Sequence, residues 1–226
     1  MNPESCIMDQ LRKMMRTMKR IAGYLSLAVF VMFSLSACAE KGPILLAIGY
    51  QSPEKTTPTA SSISIGVNPL KDGRGKPALF LGKKTLQDGS QNDFVVKDTA
   101  SETATRALKE ALVARGFTVQ DVAGWDLTAE GMPPCENALL LGGEIITLWL
   151  ESVSAPFKTS MQAVVQIRII AGDCAEKKII RSLTVSSRVD HDVFYSPEKP
   201  AALLSEALTS AIDQIFKDAE LKKRLP

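Results

Sequence analysis

Two stretches toward the C-terminal end alternate apolar and polar residues, and they constrain the fold more than any other part of the chain. In the first, Met161, Ala163, Val165, Ile167 and Ile169 alternate with Gln162, Gln166 and Arg168. In the second, Ile179, Leu183, Val185 and Val189 stand among Ser182, Thr184, Ser186 and Arg188. Successive side chains of a strand point to opposite faces, so each stretch reads as a strand with one face buried and one wet. That pattern belongs to antiparallel sheets, because the strands of buried parallel sheets read as continuous apolar runs. Residues 138–151, rich in Leu and Ile, read as a third strand. The connectors 152–160 and 172–177 are short enough for hairpins.

Two helices accompany the strands. Thr99 with Glu102 three residues on forms a capping box, and Ala104, Ala107, Leu108, Ala111 and Leu112 recur on one helical face. Gly116 stands where a helix ends, and Phe117-Thr118-Val119 opens a strand. The second helix covers residues 200–221, with Pro200 suited to its first turn and Leu204, Leu208, Ala211, Ile212 and Ile215 as its apolar stripe. A basic tail, 221–226, follows it. Upstream, Ile63, Ile65 and Val67 alternate as a half-buried strand. Residues 72–98 hold only short apolar runs, and 120–137 read as a loop. The expected fold is α+β: a mainly antiparallel sheet with both helices on one face.

The N-terminal region is of another kind. Lys19 and Arg20 precede fifteen uncharged residues, 21–35, and Ser36-Ala37 closes the run before Cys38. A basic segment, an apolar segment and small residues in that order make a secretory signal. Fifteen residues fall short of the roughly 20 that cross a bilayer. The version with Cys directly after the small residues resembles the lipobox of bacterial lipoproteins, which implies that Cys38 becomes the lipidated first residue. Residues 1–17 are polar and would make an overlong leader, so Met18 is the better start and Cys6 has no structural role. The chain divides into a signal peptide, 1–37, a lipidated tether, 38–60, and one periplasmic domain, 61–226. The tether is rich in Pro, Ser and Thr, except for Ile44-Leu45-Leu46-Ala47-Ile48, which docks on the domain or lies near the membrane surface.

Charge and cysteine content narrow the partners. Beyond residue 37 the chain has 22 basic and 23 acidic residues, so no basic footprint for nucleic acid exists. Cys135 and Cys174 remain in a compartment that permits disulfides. A hairpin centred near Ala155-Pro156 puts position 174 opposite about 137, two residues from Cys135, close to the roughly 5.5–6 Å Cα separation that a disulfide prefers.

Sequence motifs for chemistry are sparse. The single histidine lies in Asp190-His191-Asp192, where strand geometry sends the two carboxylates to one face and the imidazole to the other. A solvated strand end is therefore the better reading, and no metal or cofactor is expected. Asp72-Gly73-Arg74-Gly75-Lys76 misses the phosphate-loop spacing, since Pro77 follows Lys76 and Leu70 stands where the first glycine belongs. Leu141-Gly142-Gly143-Glu144 has no nucleophilic serine; its glycines mark a bulge or a close approach in a central strand. Trp149, Phe157, Phe194 and Tyr195 form one candidate partner patch or cap the core.

Taken together, the lipobox ending in Cys38, the run Ala111-Leu112-Val113-Ala114-Arg115-Gly116-Phe117-Thr118-Val119, the strand Gly142-Gly143-Glu144-Ile145-Ile146-Thr147-Leu148-Trp149 and the helix from Leu204 to Ile215 resemble the YajG-like family of bacterial lipoproteins. The resemblance covers residues 60–222 and carries no catalytic signature. It implies an outer-membrane lipoprotein, and Ala39 in place of the inner-membrane retention Asp implies the same. The expected role is a non-enzymatic adaptor or structural component of the envelope, attached through its lipid and engaging an envelope protein. Two other roles are open. An accessory to lipid or glycolipid transport requires an apolar groove. An activator of a peptidoglycan synthase shares only a fold-level likeness.

Overall fold

The strand expected over residues 138–151 proves to be the axis of the molecule. The structure, a computed structural model, describes residues 42–52, 63–134, 136 and 139–225. The signal segment, the lipobox with Cys38, Cys6 and Cys135 lie outside the described residues. In chain order the elements are β1 (Ile44–Leu46), β2 (Ser64–Val67), β3 (Lys71–Asp72), β4 (Phe80–Thr85), β5 (Gln91–Val96), α1 (Ala100–Ala114), β6 (Thr118–Asp121), β7 (Leu139–Ala155), β8 (Lys158–Asp173), β9 (Lys178–Val193), α2 (Lys199–Ile215) and α3 (Ala219–Arg224).

β7 carries β8 along the whole of one edge, and β9 follows β8, all antiparallel. Its other edge takes β2 beside residues 139–141, β3 beside Glu144 and Ile145, and β4 beside residues 150–153. All three run parallel to β7. β6 extends the sheet beyond β2, and β5 then β1 extend it beyond β4. The long ladders are antiparallel, as expected, but the sheet is mixed. The parallel strands are two to six residues long, too short to show the continuous apolar runs by which parallel strands are read. Two of them, β4 and β5, fall within residues 72–98, where the sequence showed only fragments.

The hairpin is tighter than the connector 152–160 suggested. Ala155 pairs with Lys158, leaving Pro156 and Phe157 as the turn. Phe157 has φ +73°, as the second central residue of a type II turn does, and Pro156 suits the first. A bulge at Ile146 shifts the β7 register between Ile145 and Thr147. Gly142 and Gly143 precede it. A Cβ on Gly143 would collide with the Arg168 carbonyl of β8, and one on Gly142 would press on Trp125 and Leu127. The close approach is thus by a neighbouring strand and a covering loop.

Both helices pack on the same face of the sheet. The capping box at Thr99 and Glu102 is formed, and Gly116, at φ +88°, follows the end of α1. The expected stripes of both helices join Ile65, Val67, Leu81, Phe94 and the odd-numbered residues of β8 in one core. The second helix does not run through to 221. It ends at Ile215, and Asp218 then caps the short α3 by accepting from the amides of Glu220 and Leu221. The second face is covered at one end by residues 122–134, which form a small core of Trp125, Met132, Leu140 and Cys174.

Part of the expected tether belongs to the domain. Ile44–Leu46 pairs with β5, and Leu46 and Ile48 are core residues. Residues 49–51 strap the two helices together. The Tyr50 hydroxyl donates to Asp213 (2.8 Å) and accepts from Arg115 (2.9 Å), and Arg115 pairs with Asp213 at 2.7 Å. The amide of Gln51 donates to Thr209 Oγ1. Gln214 of α2 bonds both backbone groups of Ser186, closing the middle of the free edge of β9.

Candidate functional site

Strand polarity gathers the exposed aromatics at one end of the sheet. β7 and β4 finish there, β8 and β5 begin there, and β9 ends there, followed at once by Phe194 and Tyr195. Phe157 and Phe194 are 88% and 78% exposed, the two most exposed large apolar side chains among the described residues. With Tyr195, Leu86, Lys84 and Lys158 they line a surface cleft of about 390 Å³. Lys84 Nζ lies 3.2 Å from the centroid of the Tyr195 ring. Burial against that ring lowers the Lys84 pKa below the ordinary lysine value. Burial, and secondarily the charge of Glu198, raises that of Tyr195. Lys158 Nζ is 2.9 Å from Asp192. The cleft lining carries two ammonium groups and no carboxylate.

Three of the four expected patch residues, Phe157, Phe194 and Tyr195, therefore meet. Trp149 does not line this cleft. It sits on the outer face of β7, edge-on to Phe80 at 5.2 Å, with Lys76 Nζ 5.2 Å from its ring and its indole N–H donating to Glu151. Leu86 and Lys84 went unremarked in the sequence, because only the β4–β7 pairing brings them to the hairpin.

The acidic run at the end of β9 lines a second cleft, of about 440 Å³. Asp190 accepts from Arg188 and Gln162, and Asp192 accepts from Ser160 and Lys158. These hydrogen bonds, from Arg188 and from Ser160 first, hold both carboxyl groups below the usual range. Both carboxylates are on the face opposite His191, as strand alternation requires. Among the described residues no group of three or more His, Cys, Asp or Glu side chains is placed to hold a metal. Glu144 is ion-paired with Arg168 at 2.6 Å.

The glycine-rich segment after β3 is a locked turn. Arg74, with a side chain only 3% exposed, grips Asp72 through Nε and Nη2 and donates through Nη1 to the Phe80 carbonyl at 2.7 Å. A third cleft, about 450 Å³, lies along β1 and the start of α1. Its apolar floor of Leu46, Ile48 and Val96 belongs to the core, and Lys97, Asp98 and Arg106 rim it.

No protein-family model matches the chain, and no curated protein matches it in sequence. Among solved structures, it is similar to protein XCC0632 from Xanthomonas campestris, described under family model DUF330, with TM-score 0.54 and 11% identity over 80% of this chain and 96% of that one. Looser matches are a putative neuraminyllactose-binding hemagglutinin homolog from Helicobacter pylori (TM-score 0.44, 11% identity, 80% and 97% covered) and lipoprotein GNA1162 from Neisseria meningitidis (TM-score 0.34, 14% identity, 69% and 99% covered). The expected YajG-like family is not shown by these structures. The match to XCC0632 shows a shared α+β fold spanning nearly the whole of that chain.

Proposed function

We propose that the chain is a lipoprotein of the bacterial envelope. Acyl chains on Cys38 hold it in the outer membrane, and its α+β domain faces the periplasm. The domain works without catalysis, as an adaptor or structural component. One observation carries this reading: the lipobox-like Leu35-Ser36-Ala37-Cys38 leads within six residues into β1, a strand built into the sheet. The shared fold with XCC0632 accompanies it as a likeness of fold alone. One acyl chain binds a membrane only marginally, so stable anchoring needs the several chains a lipoprotein carries. Cys38→Ser should abolish labelling with radioactive fatty acid and leave an unprocessed precursor. Ala39→Asp should move the protein from outer- to inner-membrane fractions. A Cys38→Ser protein that is processed and stays membrane-bound refutes the reading.

The domain is further closed by a bridge between Cys135 and Cys174. In support, Cys174 is buried at 6% exposure, in the small core with Trp125, Met132 and Leu140. The β7–β8 register places Gly172 opposite Leu140, so Cys174 stands at the end of the sheet where β7 begins, four residues after Cys135 in sequence. A bridge of this span contributes roughly 3–4 kcal/mol in the chain-entropy picture. Thiol titration of the unfolded, unreduced mature protein should find neither cysteine reactive.

A further inference from the structure

The aromatic end of the sheet and the start of the domain point the same way. β5 begins at that end with Gln91, which pairs with Thr85, which pairs with Val153. β1 runs parallel to β5 with Ile44 beside Phe94. The chain therefore enters β1 from the aromatic end, and Ile44 lies three strand steps, about 10 Å, in from the level of Val153. The turn carrying Phe157 stands about another 10 Å further out. Cys38 is six residues before Ile44, and six residues of extended chain span at most about 20 Å. That reach just brings Cys38 level with Phe157. The opposite end of the sheet, near residues 174–177, is about 50 Å from the hairpin turn and out of range.

We infer that the aromatic end rests on the membrane, with Phe157 and Phe194 inserted at the boundary between headgroups and acyl chains of a phospholipid bilayer. This rests on the reading of Cys38 as the lipid anchor. Length of chain selects the occupant: a lipidated Cys38 holds the bilayer within one short linker of this end and out of range of the opposite one. The chemistry of the cleft suits the same surface. Two exposed phenylalanines project from it, and Tyr195 offers an amphipathic ring with the Lys84 ammonium against its face. Apolar side chains of interfacial segments bury about 5–10 Å deep while lysines remain at headgroup level. Phe157 holds a left-handed backbone position, which glycine or asparagine fills at lower cost, with its side chain displayed to solvent.

The test uses the full mature lipoprotein reconstituted in vesicles of phosphatidylethanolamine and phosphatidylglycerol with brominated acyl chains. Tryptophan is introduced separately by Phe157→Trp, Phe194→Trp and, at the exposed turn of the far end, Glu176→Trp. Against the parent protein, whose own tryptophans are Trp125 and Trp149, the first two should add blue-shifted emission that the bromines quench, and the third should add none. If the chain is anchored through Cys38 but the tryptophans at 157 and 194 stay unquenched, or Glu176→Trp is quenched instead, this inference falls and the anchor stands. If Phe157→Cys crosslinks to another protein in the intact envelope while its tryptophan counterpart stays unquenched, the end belongs to a protein partner and the inference falls. If Cys38 carries no lipid, the anchor reading falls. The end is then judged on the unanchored chain added to the same vesicles. Phe157→Ser with Phe194→Ser weakening binding about tenfold or more upholds the contact, and no binding or no change overturns it.

Discussion

Arg74 shows how far a single residue can depart from the look of its neighbourhood. Among Gly73, Gly75, Lys76 and Pro77 it reads as part of a flexible turn, yet its guanidinium is almost wholly enclosed between Asp72 and the Phe80 carbonyl. Planar, always charged and five times a donor, arginine can satisfy a carboxylate and a carbonyl at once. Arg74→Ala leaves that carbonyl without its guanidinium donor and Asp72 with only the residue 74 amide, and should lower stability by about 3 kcal/mol in urea unfolding at neutral pH. The pairing also sets a pH dependence. Arg74, chiefly by hydrogen bonding, holds the Asp72 carboxyl below its ordinary pKa. The folded state then binds the proton less readily than the unfolded chain, so stability rises with pH through this range. The contribution is complete above the unfolded value of about 4 and fades as pH falls through the lower folded value. Urea midpoints measured between pH 7 and pH 2 should fall less steeply in Asp72→Asn than in the wild type.

At the scale of elements, β7 explains both what was legible and what was not. Its pairing with β8 and the outward alternation of β8 and β9 are written in local periodicity, and α1 carries its own start and stop in Thr99, Glu102 and Gly116. The parallel partners β2, β3 and β4 leave no such trace, because each buries a few residues against a strand far away in sequence. Gly142 and Gly143 were legible as a sign of close approach, but what approaches is set by the register. Gly143→Ala would drive a methyl group into the Arg168 carbonyl and force β8 away. A loss of about 2 kcal/mol is expected. Hydrogen exchange of the β8 amides near Arg168 should quicken while that of α1 stays unchanged. Uniform loss of protection across the molecule would show that the strain is not local.

At the scale of the whole molecule, the strap at residues 49–51 makes the stretch expected as tether part of the fold. Tyr50, Arg115 and Asp213 lie 60 or more residues apart and meet in one cluster, with Arg115 also stacked 3.7 Å from the Phe216 ring centroid. Burial first, then the hydrogen bond to Asp213, raises the Tyr50 phenol above its ordinary pKa. Asp213→Ala should cost about 2 kcal/mol, because it leaves a partly enclosed guanidinium without its carboxylate. Limited proteolysis should then cut within residues 47–52 before the rest of the domain. Cleavage no faster than in the wild type would mean that the strap is held by Ile48 and the backbone bonds instead.

Properties carried by near neighbours in the chain were open to reading without coordinates. The alternation of β8 and β9, the cap and stripe of α1 and the stripe of α2 each depend on spacings of a few residues, and that is where strand and helix periodicity act. Tertiary structure alone decided the mixed order of the sheet, the enclosure of Arg74, the docking of residues 44–51 and the meeting of Phe157, Phe194 and Tyr195 apart from Trp149. Those outcomes follow from which distant surfaces fit and which charges find partners. That information is spread over the whole chain, and it appears only when strands separated by tens of residues lie side by side.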